Sequence, residues 1–145
     1  MRAAALPALL LALAGCQFGG VRPMNPVSYF EVPVSDMDRA VAFYTRVLGT
    51  DFERATIDGY PMALFPAANG APGASGALVK GDVYVPAKAG PILYFSVDDL
   101  DATLARATAA GAAILYPPKD LAELGRVAEI EDSEGNRIAL HQAAE

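Results

Sequence analysis

The chain is poor in cysteine, in histidine and in positive charge. Its one cysteine, Cys16, cannot close an internal disulfide. Its one histidine, His141, lies close to the chain end, so a metal site built on imidazoles would need ligands of another kind. Lysines and arginines number 11 against 17 acids, with no basic cluster, which argues against nucleic acid as a partner. The resulting net charge of -6 is what ordinary solubility asks for. The apolar run Ala3 to Ala14 is too short to cross a bilayer as a mature helix. What remains is 145 residues at 53% hydrophobic content, enough for one domain with its own core and too few for two ordinary ones.

The most informative stretch runs from Val27 to Gly49. Val27, Phe30, Val32 and Val34 are apolar while Tyr29 and Glu31 take alternate positions, which predicts a strand that ends near Pro33. Ser35 is then expected to cap a helix, with Asp38 three residues on, and Met37, Ala40, Val41, Tyr44 and Leu48 to form its apolar stripe. Phe43 is expected in the core or at a module or dimer contact, and Gly49 is a natural stop. The pattern recurs 63 residues later: Tyr29, Ser35, Asp36, Met37, Asp38 and Val41 map onto Ile92, Asp98, Asp99, Leu100, Asp101 and Leu104, and a glycine, Gly111, closes the second unit. A strand, an acidic cap, a stripe and a glycine in the same order point to duplication of one small module.

Between these units the chain predicts strands over 51–57, 60–65 and 75–80, with Asp58-Gly59 as a turn and 67–73 as a loop. Residues 81–90 link the modules. The second continues with a strand over 92–97, a helix over 99–110, a strand over 113–116, a loop from Pro117-Pro118 to about Gly125, and strands over 126–131 and 137–142. The acid-rich Asp132–Asn136 segment lacks the spacing of a calcium loop and is expected to be a hairpin turn. The fold class is therefore α+β: two tandem βαβββ modules, 27–80 and 91–142, forming a curved mixed-sheet cup with helices on the outer face.

The first residues differ in kind. One positive charge, a short apolar run and small residues before Cys16 describe a secretory signal, and Leu13-Ala14-Gly15-Cys16 resembles the lipobox of bacterial lipoproteins. That resemblance implies a signal peptide over 1–15, lipidation of Cys16 and a tether over 16–26. It places the protein in the cell envelope, held to the membrane by its lipid, and Gln17 after the cysteine favours the periplasmic side of the outer membrane. The alternative is that translation starts at Met24, which would leave a cytoplasmic protein.

The segments V-P-V-S-D-M-D-R-A-V-A-F-Y-T-R-V-L-G, S-V-D-D-L-D and D-S-E-G-N-R-I-A-L together resemble the vicinal oxygen chelate superfamily, which holds glyoxalase I, extradiol dioxygenases and bleomycin or fosfomycin resistance proteins. The resemblance covers about Asn25 to Gln142. It implies that the metal ligands of relatives fall here at Tyr29, about Ala77, Ile92 and Ala139, a set that would not hold a divalent cation. No metal and no other cofactor is expected. Strand parity then places Tyr29, Glu31, Tyr94, Ser96 and His141 on the faces that line the cup.

Such a lining suits a small organic ligand, bound by a lipid-anchored protein that lacks the usual metal site. Glu31 could act as an acid or base or bind a cationic ligand; alternatively it is a solvated or paired carboxylate at the rim. Tyr29 and Tyr94 could stack on a ligand or fill the space of the absent metal, and His141 could be exposed or frayed. The competing function is a glyoxalase-like lyase or isomerase with Glu31 as its catalytic residue. Homodimerisation is left open.

Overall fold

A computed structural model describes residues 26–67 and 73–145. The lipobox, Cys16 and Met24 lie outside the described residues. Among those described, no helix is long and apolar enough to cross a membrane.

The chain forms β1 (Tyr29–Pro33), α1 (Met37–Leu48), β2 (Glu53–Ile57), β3 (Tyr60–Leu64) and β4 (Ser75–Val79), and then β5 (Tyr94–Ser96), α2 (Leu100–Ala109), β6 (Ile114–Asp120), β7 (Arg126–Glu131) and β8 (Arg137–Gln142). A short 3-10 turn, Ala122–Leu124, joins β6 to β7. The strands make two four-stranded mixed sheets, ordered β1-β4-β3-β2 and β5-β8-β7-β6. In each sheet the first strand of the module runs parallel to the last, and the other pairs are antiparallel. The two halves thus share one topology, as the repeated sequence pattern requires.

Local chemistry explains the helices, with one correction. The N-cap of α1 is Asp36, whose carboxylate accepts from the Arg39 backbone N–H at 3.0 Å, because the Ser35 hydroxyl is turned to Glu134 at 2.7 Å. The buried side of α1 is Met37, Ala40, Phe43, Tyr44 and Val47, so the stripe is rotated from the expected one and Phe43 belongs to the core. Gly49 ends the helix at φ +68°, a conformation that costs glycine little. Asp99 caps α2 in the same way as Asp36, accepting from the Ala102 N–H at 2.9 Å.

One core serves both modules. Val32 and Val34 of β1, Leu78 of β4, Ala128 and Ile130 of β7, and Ile138 and Leu140 of β8 meet the apolar sides of both helices and are almost wholly withdrawn from water. Each large aliphatic side chain buried this way contributes about 1.5–3 kcal/mol. Phe95 of β5 reaches into the aromatics of the first module, with ring centroids 5.8 Å from Phe30, 5.7 Å from Phe65 and 5.9 Å from Tyr44. The modules are therefore not separate beads on a string.

The Asp132–Asn136 hairpin turn locks them further. Tyr44 of α1 donates to Asp132 at 2.6 Å, and the Asn136 amide donates both to Asp132 at 2.9 Å and to the Pro33 carbonyl at 2.8 Å. Glu134 accepts from the backbone N–H groups of Ser35 and Asp36 at 3.0 and 2.9 Å and from Arg39 Nε at 2.8 Å. A turn of the second module thus satisfies donors at the start of the first module's helix.

Two further differences from expectation have physical causes. Strand β6 continues through Pro117 and Pro118 to Asp120 instead of breaking into a loop. It is the edge strand of its sheet, and its pairing with β7 is irregular between Tyr116 and Lys119, where an imide that lacks an N–H is tolerated. Strand β5 is limited to Tyr94–Ser96, although the Leu93 carbonyl accepts from the Ala139 N–H and Val97 donates to the His141 carbonyl, both at 2.9 Å.

Candidate functional site

With the helices on one side, the alternating residues of each sheet emerge on the other. In the first sheet these include Tyr29 and Glu31; Glu31 stands opposite Ala77, and Tyr29 opposite Ser75. Met62, Ala77 and Val79 are buried there beneath Tyr60, Leu64 and Tyr84, a second and smaller apolar cluster. Tyr84 comes from the inter-module linker. It meets Tyr60 edge-on with centroids 5.1 Å apart. Gly81 makes room for this, since a side chain there would begin 2.5 Å from the Tyr60 ring.

Glu31 is exposed and the Tyr29 side chain is about half exposed, at 48%. Hydrogen bonding to Glu31, with some burial and the carboxylate's charge, raises the pKa of the Tyr84 phenol above its usual 10. Burial, then the charge and hydrogen bonding of Glu31, does the same for Tyr29. Both phenols are consequently neutral donors at physiological pH. The Tyr29 hydroxyl also lies 3.9 Å from Met62 Sδ.

In the second sheet, Tyr94 stands opposite Ala139 and Ser96 opposite His141. Tyr94 is open to solvent at 56% exposure. His141 is ordered within β8, and its Nε2 lies 2.7 Å from the Leu124 carbonyl. A carbonyl only accepts, so that nitrogen carries the proton. The sequence therefore placed Tyr29 with Glu31, and Ser96 with His141, but no hydrogen bond or ion pair joins the two groups among the described residues.

What the modules do share is a crevice of about 270 Å³ along the outer edge of β1, between Glu31, the linker residues Val85, Pro91 and Leu93, and Arg137 of β8. Arg137 is already engaged: its Nε donates to Glu129 at 2.6 Å. Neither Tyr84 nor Arg137 was singled out from the sequence. A tyrosine in a Gly- and Asp-containing linker was the one available signal for Tyr84, and it gave no direction. A larger hollow of about 690 Å³ lies between α1, the end of α2 and the 131–135 turn, but Arg39 and Glu134 on its wall are bound to each other.

The positions at which the resemblance implies metal ligands offer a poor donor set. Ala77 and Ala139 are fully buried methyl side chains opposite Glu31 and Tyr94, and Ile92 offers no donor. Among the described residues, no three histidine, cysteine, aspartate or glutamate side chains converge as a metal site.

Comparison with known proteins agrees with the topology. Similar solved structures include TnmS3, an antibiotic binding protein from Streptomyces sp. CB03234, at 30% identity and TM-score 0.59 over 85% of this chain and 99% of that one. A glyoxalase/bleomycin resistance protein from the same organism is 31% identical over 79% of this chain and 98% of that one, with TM-score 0.57. The fosfomycin resistance protein FosX of Listeria monocytogenes, at 17% identity and TM-score 0.64 over 83% of this chain and 93% of that one, shows the shared fold alone. Among curated proteins, CFP32 of Mycobacterium tuberculosis is 46% identical over 43 residues, 30% of this chain, and that match spans only 16% of the relative's length. The profile of the Glyoxalase/Bleomycin resistance protein/Dioxygenase superfamily matches residues 27–140, and the chain belongs to that superfamily.

Proposed function

We propose that this protein binds a small organic molecule without the aid of a metal, at the sheet faces that carry Tyr29, Glu31, Tyr94, Ser96 and His141. The observation that carries the reading is an accessible carboxylate, Glu31, opposite the buried Ala77 on the sheet face that also holds Tyr29, Tyr60 and Tyr84. Such a face offers apolar surface and a few fixed polar groups, the usual make-up of a small-molecule site. The similarity to an antibiotic binding protein supports the same reading.

Cys16 anchors the protein in the envelope on this proposal, with 16–26 as lipidated cysteine and tether and the outer membrane's periplasmic side as its place. Homodimerisation is part of the reading, since large apolar side chains such as Leu124, 71% exposed, stand open on the surface. Native mass spectrometry before and after chelator treatment tests the binding claim. A retained organic molecule indifferent to the chelator is the expected result. A metal-ion mass that the chelator strips would overturn the metal-free site.

A further inference from the structure

The immediate surroundings of Glu31 narrow the class of ligand. Every ion pair among the described residues engages some other acid: Arg39 is bound to Glu134 and Asp36, and Arg54, Lys88, Arg126 and Arg137 to Asp38, Glu131, Asp101 and Glu129. Glu31 has no cationic partner among them. Its neighbours are phenols: Tyr29, two residues away on the same face of β1 with its hydroxyl 3.9 Å from Met62 Sδ, and Tyr60 and Tyr84, which pack on the cluster of Met62, Ala77 and Val79 opposite Glu31 and meet edge-on at 5.1 Å. Neutral O–H donors orient a carboxylate without discharging it, and aromatic faces add the negative end of their quadrupole.

The one cation across the crevice does not change the sign. Arg137, whose side chain lines the crevice, is paired with the buried Glu129, so the two together add no net charge. The walls nearby, Val85, Pro91 and Leu93, are apolar. An inorganic divalent ion would ask for about six oxygen ligands, about four more than the two oxygens of this single carboxylate supply. A weakly hydrated organic cation asks for much less: one anion, aromatic faces and an apolar wall.

We propose that Glu31, Tyr29, Tyr60 and Tyr84 recognise the substituted ammonium group of an organic cation whose apolar body lies along the crevice. The inference rests on the reading of this face as a ligand site and adds the charge of the ligand. Gly81 is part of the device, because its missing side chain lets Tyr60 and Tyr84 meet.

The test is a pair of probes equal in shape, choline and its neutral isostere 3,3-dimethylbutan-1-ol, titrated into the whole protein and followed by the tyrosine ring signals in NMR. Choline is expected to bind at least about fivefold more tightly, a preference that shrinks with added salt. Glu31→Gln should abolish the preference, and Tyr84→Leu, on the linker and outside the main core, should weaken choline severalfold. Equal binding of the isosteres, or a preference that survives Glu31→Gln, overturns the proposal. Should neither probe bind while a neutral molecule co-purifies in native mass spectrometry, the cation inference alone fails. Should neither probe bind and nothing co-purify, the binding reading fails with it.

Discussion

Glu134→Gln offers the sharpest test of how the two modules are held together. The Glu134 side chain is withdrawn from solvent, which by itself would raise its pKa. Hydrogen bonds from Arg39, from the Asp36 and Ser35 backbone N–H groups and from the Ser35 hydroxyl outweigh that burial and bring the pKa from 4.5 down to about 2. A depressed carboxylate contributes stability that is present above its unfolded pKa and is lost as pH falls through the folded one. The two values differ by about 2.5 units, which corresponds to roughly 3 kcal/mol at neutral pH. Arg39 is half exposed, so solvent screening trims this toward about 2 kcal/mol. Urea unfolding followed by circular dichroism should show Glu134→Gln destabilised by about 2–3 kcal/mol at pH 7, with the gap to wild type closing between about pH 4.5 and 2. A gap that is absent at pH 7, or constant across that range, would refute the account of the turn as an ionised cap.

Three other outcomes follow from contacts elsewhere. Tyr44→Phe removes a buried donor from Asp132 and should cost about 1.5–3 kcal/mol in the same unfolding assay while leaving ligand affinity unchanged. Gly81→Ala places a methyl group against the Tyr60 ring and should weaken ligand binding severalfold with little change in the unfolding midpoint, since the linker lies outside the main core. Cys16→Ser should move the protein from the membrane fraction to the soluble fraction of fractionated cells; continued membrane association would count against the lipid anchor.

Much of the fold was legible because it is written locally. Alternation in Val27–Val34, the acids at Asp36 and Asp99, and the glycine at Gly49 each act over a few residues, and their repetition revealed the two modules. Parity put Tyr29 and Glu31 on one face, and Ser96 and His141 on another, without any tertiary information. What stayed hidden depends on residues far apart in the chain. Ser35 looks like the cap until Glu134, 99 residues away, takes its hydroxyl. Pro117-Pro118 reads as a break unless the strand is known to be an unobstructed edge. Tyr84 sits in a stretch that looks like a spacer, and only the return of the linker over the first sheet gives it a partner. Arg137 likewise reads as a turn-proximal surface charge until Glu129 and the crevice are seen together.

The central claim is that a ligand sits on the Glu31 face without a metal. The most direct measurement is amide shift mapping by NMR with the molecule recovered in native mass spectrometry, in the presence and absence of EDTA. The account predicts shifts concentrated at Glu31, Ala77 and Tyr84 and the same in both conditions. Shifts centred on Arg39 and Arg46 in the helix-side hollow, or binding that disappears with EDTA, would contradict it.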